Sequence, residues 1–240
     1  MEWRTGGDDL HVPVYTLSVV IPCYNERDNI RAIVDKVREA PVPAVEIIVV
    51  DDFSTDGTRE ILESEVEPLV AKVVYHEANK GKGAALRTGF AAATGDVVIV
   101  QDADLEYDPM EYPKVVEPII RDECEVCYGS RFLGQPAKGY LANRLANRGL
   151  TWLSNRFTGL DLTDMETCYK AFLREVIQHV RIEEERFGFE PEITAKVAHT
   201  GVRVKEAPIT YNPRTAEQGK KIGVSDGIRA IYCIWHYRKG

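Results

Sequence analysis

Five short apolar runs, at 17–21, 45–50, 70–75, 97–100 and 125–129, alternate with stretches of helical spacing at 29–38, 58–66, 83–93 and 112–121. Each run is rich in β-branched residues and lacks polar alternation, the pattern of a strand covered on both faces. Strands and helices that take turns in this way specify a mostly parallel sheet flanked by helices, so the expected class is α/β. In an open sheet of this kind ligands bind outside the carboxyl ends of the strands, which directs attention to the loops that follow the runs. Beyond residue 130 the rhythm loosens: the spacing predicts a helix over 141–157, a strand over 167–172, a helix over 190–200, extended pieces over 202–211 and a last helix over 224–237. A chain of 240 residues suits one large core, with 1–16 expected as a flexible leader and 17–240 as a single domain.

Thirty Lys and Arg stand against 38 Asp and Glu, a net charge of −8. No nucleic-acid partner is expected from this balance, and an anionic ligand has to be held locally. Two local zones depart from the average. Residues 201–240 carry eight basic and three acidic side chains, and 126–160 hold no Asp or Glu at all, yet include Arg131, Lys138, Arg144, Arg148 and Arg156. No apolar stretch reaches the roughly 20 residues of a bilayer span, and no basic-then-apolar export signal is seen. The five cysteines, including the lone C-x-x-C of Cys124 and Cys127, read as reduced thiols rather than a disulfide or zinc framework.

Four loops carry the chemistry. Pro22-Cys23-Tyr24-Asn25-Glu26 follows the first run, and Asp51-Asp52-Phe53-Ser54-Thr55-Asp56-Gly57 the second. Carboxylates at adjacent strand ends can accept from a ribose or a base, although Asp51, Asp52 and Asp56 taken alone read first as turn formers and caps. Asn79-Lys80-Gly81-Lys82-Gly83 sets glycines and lysines at a helix start, which suits a diphosphate but matches neither a Walker A loop nor G-x-G-x-x-G. The apolar run 97–100 leads into Gln101-Asp102-Ala103-Asp104-Leu105-Glu106. On an extended chain alternate side chains project together, so Asp102, Asp104 and Glu106 are expected to converge on one hard cation, Mg2+ or Mn2+, with substrate phosphates completing its shell.

These loops, followed by Gly129-Ser130-Arg131, resemble in order and spacing glycosyltransferase family 2, and within it the dolichyl-phosphate mannose and glucose synthases, over nearly the whole chain. The resemblance implies a GT-A-type nucleotide-sugar fold, with 17–131 as the nucleotide-sugar half and 132–240 as the acceptor and membrane-facing half. It also implies a divalent metal and inverting transfer of a hexose from GDP-mannose or UDP-glucose to a polyprenyl phosphate. By position, Pro22, Tyr24, Glu26 and Asp52 match residues that hold the nucleoside, with Asn79 and Lys82 beside them. Asp102, Asp104 and Glu106 match the metal and diphosphate site. Arg131, Arg144 and Asn147 match the acceptor-phosphate site, and Arg214 and Lys220 match a loop closing over the donor. Asp164 is either an orienting carboxylate or, with a hydroxyl acceptor such as a growing glycan or glycolipid, a base. The segment Asp164-Met165-Glu166-Thr167-Cys168-Tyr169-Lys170 lies nearer the glucose form, which leaves the sugar open between the two.

A phosphate monoester has a second pKa of about 6 and is already nucleophilic near neutrality, so it needs positioning cations rather than a base. The acid-free window supplies them. Apolar stripes at Ala142, Ala146, Leu150, Leu153 and Phe157 and at Val224, Ile228, Ile231 and Trp235, edged by arginines, fit core packing or a lipid interface. With a lipid acceptor they predict peripheral contact at the cytoplasmic membrane face. The acidic run 183–185 is expected to be a solvated surface.

Overall fold

A computed structural model describes residues 14–134, 141–186, 188–213 and 224–239. In chain order the elements are β1 (Thr16–Cys23), α1 (Ile30–Arg38), β2 (Ala44–Asp51), α2 (Thr58–Ile61), β3 (Lys72–Tyr75), α3 (Lys82–Ala92), β4 (Val97–Val100) and α4 (Tyr112–Ile120). Then follow β5 (Val126–Ser130), α5 (Leu141–Thr158), β6 (Lys170–Leu173), α6 (Arg174–His179), α7 (Phe189–Thr200), β7 (Val204–Pro208) and α8 (Val224–His236). The strands form one sheet of order β3-β2-β1-β4-β6-β5-β7.

The unalternating runs lie where two-sided burial puts them: Val19, Val20, Ile21, Ile48, Val49, Val50 and the whole of β4 are buried. β1 pairs in parallel with β2 and β4, β2 with β3, and β5 with β7. Helices press closely on the sheet. A Cβ at Gly89 of α3 would stand only 2.2 Å from a methyl of Val20, so only glycine permits this approach. Phe90 of α3, Phe172 of β6 and Phe189 of α7 join the same apolar core.

Several expectations change. The strand expected over 167–172 is confined to β6, and it runs antiparallel between β4 and β5. Apolar pattern reports burial and says nothing of direction, so this insertion has no local signal. The helix expected over 58–66 is α-helical only to Ile61 and continues as a wider π turn over Leu62–Val66, whose Leu62 and Val66 are both buried. The six-residue α6 is too short for a readable period. Residues 1–13 of the expected leader lie outside the described residues, while Tyr15 is buried and Thr16 already pairs with Ala44 in β1.

Candidate active site

Three of the four non-glycine residues with left-handed backbone among the described residues sit just beyond strand ends: Asn25 after β1, Phe53 after β2 and Leu105 after β4. Such conformations carry strain and gather where loops are held for function. The first two loops are stitched together. Asn25 N–H donates to Ser54 Oγ at 2.9 Å, Thr55 N–H to Asn25 Oδ1 at 2.9 Å, and Glu26 N–H to Thr58 Oγ1 at 3.0 Å. Tyr24 and Phe53 emerge on this rim at 39% and 40% exposure, with Pro22 partly buried behind them. Arg59 stacks on Phe53, its guanidinium carbon 5.1 Å from the ring centre. Motif matching missed Phe53 because it stands at the variable position of the aspartate loop.

Asp51 and Asp52 are buried acceptors. Asp51 takes Arg59 Nε at 2.6 Å and the Ser54 N–H. Asp52 pairs with His76 Nδ1 at 2.8 Å and accepts the amides of Lys80 at 2.9 Å and Gly81 at 2.6 Å, while Asn79 donates to its carbonyl. Asp52 therefore shapes the 79–83 loop directly. The glycines there also answer to packing: a Cβ at Gly81 or Gly83 would fall 2.3 or 2.1 Å from the carbonyl oxygens of Glu185 and Glu184. The expectation of a solvated face for 183–185 holds for the exposed Glu183 and Glu185 and is corrected at Glu184. Glu184 is buried and paired with Arg229 at 2.8 Å, and its backbone walls the glycine loop.

That loop aims Lys82 inward. Its ammonium lies 2.9 Å from Asp102 Oδ1 and 3.0 Å from Glu190 Oε1 on α7. Burial opposes its charge, but the two carboxylates outweigh that and hold its pKa well above the usual lysine range. The convergence of three carboxylates expected at 102–106 does not form. The segment turns instead of extending, Leu105 is left-handed, and the alternation of an extended chain is lost. Glu106 is drawn to the Tyr211 hydroxyl at 2.8 Å, and Asp104 Oδ1 accepts the Glu106 amide at 3.2 Å. No trio of His, Cys, Asp or Glu side chains among the described residues is arranged to hold a metal ion. Asp102 and Asp104 still offer hard oxygens, and Asp102 already faces one cation, so this pair suits Mg2+ or Mn2+ when phosphate oxygens supply the rest.

On the β5 side, Arg131 grips the buried Asp164 with Nε and Nη2, both at 2.7 Å, which leaves Nη1. The Arg131 amide donates to the same carboxylate at 3.0 Å, and Glu206 of β7 accepts the Asp164 amide at 2.9 Å. The guanidinium also lies over Tyr211, 5.2 Å from the ring centre, so Tyr211 links Arg131 to Glu106. Next along the chain, Lys170 is wholly buried and donates to the carbonyls of Met165, at 2.8 Å, and Thr167. Burial lowers its pKa to about 8 against the pull of Glu190 and Glu166.

Arg144 and Asn147 are partly buried on α5, and Arg144 Nε is enclosed with no hydrogen-bond partner among the described residues. Such an orphaned donor asks for an acceptor from outside. The apolar stripe of α8 faces outward, with Ile228 67% and Trp235 55% exposed, as does Trp152 of α5 at 69%. Leu150 and Leu153 instead pack on the core. Arg214 and Lys220 lie outside the described residues. No described helix is long and apolar enough to cross a membrane.

The glycosyl transferase family 2 profile matches residues 18–181. The chain is 30% identical over 223 residues to a dolichol-phosphate mannosyltransferase of Pyrococcus furiosus, an alignment that takes in 90% of this chain and 62% of that protein. It is 30% identical over 221 residues to a polyprenol monophosphomannose synthase of Mycolicibacterium smegmatis, covering 88% of this chain and 83% of the relative. In three dimensions it resembles glucosyl-3-phosphoglycerate synthase of Mycobacterium tuberculosis, crystallised with Mn2+, UDP and phosphoglyceric acid. That match has a TM-score of 0.71 at 20% identity over 94% of this chain and 79% of the other, which establishes a shared GT-A fold.

Proposed function

The chain belongs to glycosyltransferase family 2, and from that premise we propose that it moves a hexose, with inversion, from a nucleotide sugar such as GDP-mannose or UDP-glucose to a polyprenyl phosphate. The observation that carries the acceptor is Arg144 Nε, a buried cationic donor without a partner among the described residues, in a stretch that holds no acid. Support comes from the two relatives, one named for dolichol phosphate and the other for the synthesis of polyprenol monophosphomannose.

In this reading the rim of Pro22, Tyr24, Glu26 and Phe53 receives the nucleoside, with Asp52 and Asn79 fixing the floor beneath it. Lys82 meets the diphosphate, and Arg214 and Lys220 are assigned to donor binding by the resemblance alone. Asp102 and Asp104 would hold a divalent ion, which would supply neutralising charge to the departing diphosphate. Arg131, set in place by Asp164, and Arg144 with Asn147 position the acceptor phosphate for attack on the anomeric carbon. Because Asp164 is fully engaged with Arg131, it orients that cation and is not poised as a base. This favours a phosphate nucleophile over a hydroxyl acceptor. The outward Trp152, Ile228 and Trp235, beside the exposed Arg148 and Arg156, make a surface for peripheral contact with the membrane that carries the lipid.

The test is product analysis with radiolabelled GDP-mannose and UDP-glucose, Mn2+ and polyprenyl phosphate. Label is expected in a solvent-extractable lipid that mild acid cleaves, and Asp104→Ala is expected to abolish transfer while melting as the parent does. Label found only in hydroxyl acceptors, or substantial turnover by Asp104→Ala in excess metal, contradicts the reading.

A further inference from the structure

The antiparallel course of β6 brings a segment that the parallel strands alone would not supply to the carboxyl edge of the sheet. β6 lies between β4 and β5 and runs against β4, so the residues that enter it arrive where β4 and β5 end. Those residues are the 164–168 turn, and almost every position in it is tied down. Asp164 is held by Arg131 and Glu206, and the Met165 amide donates to Thr151 Oγ1 of α5 at 3.0 Å. Lys170 draws in the carbonyls of Met165 and Thr167, and the Cys168 amide donates to the Tyr107 hydroxyl at 3.3 Å.

Glu166 stands in this frame, and its Oε1 is buried without a hydrogen bond among the described residues. A buried acceptor left in that state costs about 1–3 kcal/mol. The nearby cations do not relieve it. Arg131 is engaged with Asp164, and Lys170 with the two carbonyls. Burial, and after it the Glu190 carboxylate, push the pKa of Glu166 up to about 7 against the pull of Lys170 and Arg131. Glu190 is also the partner of Lys82, and Asp164, two residues before Glu166, is the partner of Arg131, so the turn that carries Glu166 is tied to the acceptor-side pair and feels the donor-side one.

We propose that Glu166 reads the transferred sugar, its unpartnered carboxylate oxygen accepting hydrogen bonds from hydroxyls of the hexose. The assignment rests on the transferase reading above. Given that reading, the leaving diphosphate occupies one flank and the attacking phosphate the other, and the group between them is the sugar ring. A neutral hexose brings hydroxyl donors and no charge, which is what a lone acceptor among committed cations can use. A uronic acid would add a further carboxylate to those of Glu166, Glu190 and Asp164 and would be disfavoured by like charge.

Isothermal titration with Mn2+ separates the sugar from the rest of the donor. GDP, UDP, GDP-mannose and UDP-glucose are titrated into the wild-type protein, Glu166→Ala and the near-isosteric Glu166→Gln. The free diphosphate is expected to bind all three proteins within twofold, which also reports an intact fold. The sugar conjugate is expected to bind Glu166→Ala about tenfold more weakly than wild type, with Glu166→Gln in between. Equal affinity of the conjugate for wild type and Glu166→Ala, or equal weakening of diphosphate and conjugate, overturns the assignment. Failure of every nucleotide and conjugate to bind the wild-type protein overturns the transferase reading itself, and the assignment with it.

Discussion

On the β1–β4 side of the sheet the buried polar groups answer one another: Asp51 takes Arg59 and Ser54, Asp52 takes His76 and two loop amides, and Lys82 joins Asp102 to Glu190. Across β6 the situation reverses. The three buried side-chain atoms that lack partners among the described residues are Arg144 Nε, Glu166 Oε1 and Thr167 Oγ1, and all fall between residues 144 and 167. Large apolar side chains also face outward there, on α5 and α8. Buried polar atoms without partners are rare because each one subtracts from a small net stability. Asp164, Lys170 and Glu184 are paired on this side too, so the contrast lies in these three atoms, which under the proposed function would find their partners in the ligands.

The sharpest way to break this contrast is on the β1–β4 side. Asp52→Ala strands two loop amides and the His76 ring, so unfolding stability should fall by about 3 kcal/mol. A urea titration measures this, and an unchanged midpoint would show that the network is dispensable. The converse holds across β6, where removing a charge should stabilise. The carboxyl of Glu166 has a pKa of about 7 in the fold against an ordinary 4.5, so the folded state holds the proton more tightly than the unfolded one. Its contribution to stability is present below pH 4.5 and is lost as pH rises through 7. Glu166→Gln should therefore gain about 1 kcal/mol or more at pH 8 and close to nothing at pH 4. Melting curves at the two pH values check this, and equal effects at both would break the comparison.

Much of the β1–β4 side was legible in the sequence because its signals are local. Unalternating apolar runs gave β1, β2 and β4, and the loops after them carried recognisable residues in order. The glycine loop shows where such reading falls short, since Gly81 and Gly83 answer to the backbone of residues 184–185, a hundred positions away. Glu190 is missed for the same reason: it reaches the site through the tertiary fold, with no motif around it, and the tie from Tyr211 to Glu106 is likewise long-range. Glu166 was visible only as one letter of a divergent segment. Its isolation depends on what Arg131 and Lys170 bind instead, which composition and spacing do not record. The expected trio of carboxylates does not converge because the segment turns from Ala103 onward, with Leu105 left-handed, and the extended geometry on which the alternation relied is lost.

The central claim is that the acceptor side is completed by a lipid phosphate. Thermal melting of the wild-type protein and of Arg144→Ala in the presence of geranyl phosphate, a soluble short-chain prenyl monophosphate, tests it most directly. The account predicts that the ligand raises the melting temperature of the wild-type protein and leaves that of Arg144→Ala where it was. An identical rise in both proteins, or none in the wild type at millimolar ligand, would contradict it.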